Sequence, residues 1–116
     1  MIVYGLSTCA LCQKARKALG AEGVDVIFRD IRVEPLSETE LAELIAEFGD
    51  RLVDRKSSDY RGLSNWLKNS EPEAQISAQP KVMARPVIRN KGAYFLGWDE
   101  DVQRALLISL HPDSRS

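Results

Sequence analysis

Apolar residues change their spacing several times along the chain, and each change marks an element. Ile2, Val3 and Tyr4 form a short β-prone run that ends at Gly5 and the Ser7-Thr8 pair. From Ala10 to Glu22 helix formers dominate, with Leu11, Ala15, Ala18 and Leu19 spaced as one apolar face and Gly23 placed to stop the helix. Val24 to Phe28 then reads as a second strand. Strand, helix and strand in succession predict a right-handed βαβ unit with parallel strands.

The stretch "LSETEL" carries the clearest start signal. Ser37 at an N-cap and Glu40 three residues later make a capping box, with Leu36 and Leu41 at the positions of a hydrophobic staple. Leu41, Leu44, Ile45 and Phe48 continue one buried face, and Gly49 closes it. Residues 50–80 mix caps, prolines and short apolar intervals, which predicts two or three short helices and no strand. Val87-Ile88 and Tyr94-Phe95-Leu96, joined by "RNKG", predict an antiparallel hairpin. Asp99 can cap a last helix with Val102, Ala105, Leu106 and Leu110 inward, and the tail beyond Leu110 is expected to fray. The order is βαβ, a helical subregion over about residues 37–80, then ββα. It predicts an α/β fold, a mixed four-stranded sheet flanked by helices, as a single domain over residues 1–116.

Charge narrows the function. Sixteen basic side chains against seventeen acidic ones give a net charge of -1, which disfavours direct, sequence-independent nucleic-acid binding. No apolar run approaches the roughly 20 residues that span a bilayer, and the amino end lacks a secretory pattern, so the expected location is cytoplasmic with no membrane partner. Two cysteines are too few for a disulfide framework. With one histidine, His111, they make three metal ligands at best, so no metal site is expected.

The cysteines carry the chemistry. Cys9 and Cys12 form a CxxC at the junction of the first strand and helix. A free cysteine has a pKa near about 8.5, and only its thiolate is a good nucleophile. Unsatisfied N–H groups and the positive dipole end at a helix start favour that anion, with Lys14, Arg16 and Lys17 adding charge nearby. Cys12 lies almost one turn on, within disulfide reach, so Cys9 reads as the attacking thiol and Cys12 as the resolving one. Two buried cysteines acting as small apolar residues are the alternative. Arg85-Pro86 precedes the strand beginning at Val87, where a proline belongs at a strand's first residue or in a cis turn. In thioredoxin-like folds a cis-proline at this place packs beside the reactive cysteines, and the CxxC favours that form.

Together these blocks resemble the arsenate reductase/Spx family of thioredoxin-fold proteins. The likeness runs from "VYGLSTCALCQKARKAL" through "FRDIRVEPLSETELAELI" and "LVDRKSSDYRGL" to "ARPVI" and "YFLGWDEDV". The resemblance implies a nucleophilic cysteine at Cys9, with Arg55 and Arg85 holding an oxyanion such as arsenate. It also implies glutathione as co-substrate, alone or through glutaredoxin, with no tightly bound cofactor. Guanidinium forks suit tetrahedral oxyanions and stabilise a neighbouring thiolate. The family's arsenate reductases carry a third arginine where this chain has Gly97, which weakens the expectation of arsenate reduction. Cys12 and Gly97 lean toward the Spx branch. That branch implies an alternative role, redox sensing coupled to binding of the carboxyl-terminal domain of the RNA polymerase α subunit. Trp66 and Trp98 read as core or rim residues, Tyr60 as packing, and Lys56 as a solvated lysine.

Overall fold

Neighbouring residues on the two central strands face opposite sides of one sheet, and that alternation builds two cores. The computed structural model describes residues 1–110. His111 and the expected fraying of the tail lie outside them. Strand β1 (Ile2–Gly5) leads through a tight loop into α1 (Ala10–Ala21) and then β2 (Ile27–Asp30). Helix α2 (Glu38–Phe48) is followed by the short helices α3 (Ser58–Arg61), α4 (Asn65–Lys68) and α5 (Pro72–Ala78), with 3-10 turns at Gly49–Leu52 and Pro80–Val82. Strands β3 (Val87–Asn90) and β4 (Ala93–Leu96) and helix α6 (Glu100–Leu110) complete the order.

The sheet runs β2-β1-β3-β4, with β1 and β2 parallel and the other pairs antiparallel. This is the mixed four-stranded, thioredoxin-like arrangement the sequence predicts. Tyr4 and Val87 enter a core shared with Leu41 and Leu44 of α2 and Ile76 of α5. Val3 and Ile88, one residue away on the same strands, enter a second core with Leu19 of α1 and Leu106 of α6. No helix among the described residues is long and apolar enough to cross a membrane.

Local chemistry explains most boundaries. Ser37 and Glu40 form both bonds of the capping box at α2, and Gly49 ends it at φ 57°. The N–H groups of Gly23 and Val24 bond the carbonyls of Gly20 and Leu19, closing α1 in a Schellman motif with Gly23 at φ 79°. Lys91 and Gly92, at φ 52° and 86°, make the two-residue hairpin turn. Asp99 accepts the N–H of Val102 to start α6.

Three expectations change. The second strand starts at Ile27, later than Val24, because Val24 completes the helix stop and Ile27 is the residue that pairs with Ile2. On α1, Cys12 joins Ala15 and Leu19 on the buried face, whereas Leu11 is 41 % exposed and Ala18 is exposed. The helix lies so that Cys12 packs against Gly5 at the end of β1. Trp66 is 75 % exposed and belongs to neither core, while Trp98 and Tyr60 pack against them.

Candidate functional site

The loop between β1 and α1 is short and tied down from several sides, and that fixes where the first cysteine sits. The N–H of Cys9 bonds the Leu6 carbonyl at 3.0 Å, and the Gln13 side chain donates to the Ser7 carbonyl at 2.8 Å. The Ser7 N–H donates to a carboxylate oxygen of Asp30, at the end of β2, at 2.9 Å. The other oxygen of Asp30 accepts the N–H of Arg32. Burial opposes the charge on Asp30, but these two N–H groups and the Arg32 guanidinium hold its carboxyl down to about 2. Sequence reasoning missed Asp30, because its partner lies 23 residues away.

Held this way, Cys9 is the N-cap of α1 and is partly exposed, while Cys12 is fully buried. The two cysteines approach within 3.3 Å and are not bonded to each other. Cys12 fits because residue 5 is glycine: a Cβ there would stand 2.4 Å from the Cys12 sulfur.

The thiols differ in acidity for physical reasons. Burial works against the Cys9 thiolate, but the backbone N–H of Cys12, the Cys12 thiol and the Arg85 guanidinium outweigh it and lower its pKa. The neutral thiol makes no capping hydrogen bond, so these groups act on the charged form. Cys12 is pushed up to about 12, first by burial and then by the neighbouring Cys9, against a lowering contribution from the Leu6 N–H. One cysteine is therefore primed and the other held protonated.

Arg85 and Pro86 reach this place through the sheet. Val87 on β3 pairs with Tyr4 on β1, so the segment before β3 lies beside the segment after β1. The Arg85-Pro86 bond is cis and Pro86 is buried. One terminal nitrogen of Arg85 donates to the carbonyls of Lys81 and Met83 at 2.6 and 3.3 Å. Its Nε is buried without a hydrogen-bond partner among the described residues. That donor remains for a thiolate, or for an oxyanion held on it.

The other basic residues stand apart. Arg55 is exposed and pairs with Asp50 at 3.7 Å, in an open hollow whose wall includes Ala84, the residue before Arg85. Lys56 is an exposed neighbour in the same hollow. Arg16 lies over the Phe28 ring at 4.4 Å, and Lys14 and Lys17 are exposed, so the charge acting on Cys9 comes from Arg85 instead. Gly97 adopts φ 90°, a left-handed conformation in which an arginine would be strained.

No family model matches the chain. It is 32% identical over 116 residues to the global transcriptional regulator Spx of Streptococcus mutans, covering 92% of this chain and 83% of that protein. Among solved structures, one named the YFFB protein superposes with a TM-score of 0.80 and 28% identity, over 90% of this chain and 96% of that one. An arsenate reductase (ArsC) related protein from Brucella melitensis superposes with a TM-score of 0.69 and 25% identity, over 91% and 92% of the two chains.

Proposed function

The chain belongs to the arsenate reductase/Spx family, and on that premise we propose that it is a thiol–disulfide oxidoreductase. The observation that carries this reading is the asymmetry of the CxxC, a partly exposed Cys9 with its thiolate favoured beside a buried, protonated Cys12.

The cycle follows from that asymmetry. The Cys9 thiolate attacks one sulfur of a substrate disulfide; that S–S bond breaks and half of the substrate leaves as a thiolate. With Cys9 held in the mixed disulfide, its negative charge no longer opposes ionisation of Cys12. Cys12 gives up its proton and attacks the Cys9 sulfur. The second half of the substrate leaves as a thiolate, two electrons have passed to the substrate, and a Cys9–Cys12 disulfide remains. Two glutathione thiols restore the dithiol and become glutathione disulfide, directly or through glutaredoxin. A small oxyanion such as arsenate is the other substrate class, held on Arg85 and Pro86 with Arg55 at the rim, but Gly97 withholds a third guanidinium. The cytoplasm, where thiols stay reduced, suits this cycle.

Replacing each cysteine tests the assignment. Cys9→Ser is expected to abolish glutathione-dependent reduction of hydroxyethyl disulfide, and Cys12→Ser to accumulate a glutathione adduct on Cys9 visible by mass. Undiminished turnover by Cys9→Ser contradicts the reading.

The similarity to Spx supports a second reading, a redox-sensing regulator whose Cys9–Cys12 disulfide alters binding to the carboxyl-terminal domain of the RNA polymerase α subunit. A difference in that affinity between reduced and oxidised protein, without turnover, favours it.

A further inference from the structure

Strand β4 is an edge of the sheet, and among the described residues its outward backbone groups are unused. The Gly97 N–H bonds the Pro86 carbonyl at 2.8 Å, which makes Pro86 and Gly97 a hydrogen-bonded pair in the β3–β4 ladder. Antiparallel pairs alternate, so the hydrogen-bonded pairs continue at Ile88–Phe95 and Asn90–Ala93. Tyr94 and Leu96 therefore direct their N–H and C=O groups away from β3. Among the described residues these groups have no backbone or side-chain partner. An unpaired strand edge is a template for another strand.

The surroundings shape what can use it. Three hollows adjoin along β4, the middle one sharing Glu47 and Tyr94 with the first and Arg51 and Leu96 with the last, and so form one groove. It starts at Gly92 in the hairpin turn and ends at Ala84. Phe48 of α2 forms one bank, and Val102 and Ala105 of α6 form the other. The middle of the edge thus lies between α2 and α6, and both ends are open. A single extended segment can lie along the edge between these banks. Glu43 and Glu47 line the hollow at the hairpin end, whose lining holds no basic side chain. Arg89 over the Tyr94 ring, Arg51 in the next hollow and Lys91 in the turn lie around it. At the other end Arg51, Arg55 and Lys56 are nearly balanced by Asp50 and Asp54.

We propose that the groove along β4 seats an extended segment of a partner protein as a fifth strand, with a basic residue of that segment against Glu43 and Glu47. Backbone bonds to Tyr94 and Leu96 supply the pairing, the apolar banks take alternate side chains, and the two glutamates select charge. The groove ends beside Arg85, so a docked segment leads toward Cys9. The docking itself involves no sulfur chemistry and stands whether or not the oxidoreductase reading does.

The test uses the reduced full chain and two fluorescein-labelled nine-residue peptides of alternating valine and threonine, one ending in two lysines and the other in two glutamates. The lysine peptide is expected to bind about tenfold more tightly or better, and Glu47→Lys, an exposed position, to erase that preference. Binding is also expected to slow hydrogen exchange at the Tyr94 and Leu96 amides. Equal affinities, no binding by either peptide, or unchanged exchange at both amides overturns the proposal. Slow exchange that grows with protein concentration alone assigns the edge to a second copy and overturns it too.

Discussion

Gly5 sets how deep Cys12 can sit, because any Cβ there collides with the Cys12 sulfur. Gly5→Ala is expected to cost about 1–3 kcal/mol of stability, as overpacking does. Adding Cys12→Ala removes the colliding sulfur, so the double variant should lose less than the sum of the two single changes in urea denaturation. Asp30 gives a pH-dependent prediction. Its folded pKa, about 2, lies below its ordinary value of 3.8. Its stabilising contribution is therefore complete above that ordinary value and is lost as pH falls toward about 2. Asp30→Asn should flatten the loss of stability across that window, read by melting temperature against pH. The CxxC was legible in the sequence because its chemistry is local, two thiols almost one helical turn apart. Asp30 was not, because nothing near it in sequence shows that its acceptor role is to Ser7. Arg85 entered through family resemblance, and its buried Nε, without a partner among the described residues, supplies the physical reason.

Elements whose signals lie within a few residues are legible in the sequence, and those set by distant partners are not. The capping box of α2 involves Ser37 and Glu40 alone, and the structure adds only an ion pair from Glu40 back to Arg29 on β2. Ser37→Ala is expected to cost about 0.5–2 kcal/mol, measured by chemical denaturation, without changing the reactivity of Cys9. The hairpin was equally legible, since Lys91-Gly92 carries its turn. The start of β2 depends on where β1 begins, and the buried face of α1 depends on how that helix lies on the sheet. Neither is written in local periodicity. The same contrast applies to Arg55, whose motif was legible but whose place, paired with Asp50 in an open hollow, was set by the long connection between α2 and β3.

At the scale of the whole molecule, the sheet order places the ends of β1 and β2 and the beginning of β3 together, and the site is built where they meet. A loop held by Asp30, a helix start and a cationic side chain from the far half of the chain converge on one sulfur. The account therefore depends on a single electrostatic asymmetry between two thiols of one motif. The most direct measurement is the alkylation rate of each cysteine in the reduced protein against pH, resolved by mass spectrometry of the modified peptides. The account predicts that Cys9 reacts with a midpoint below the ordinary thiol range, that Arg85→Ala moves this midpoint upward, and that Cys12 stays unreactive until strongly alkaline pH. A Cys9 midpoint at or above that of a free thiol, or alkylation of both cysteines together, would contradict it.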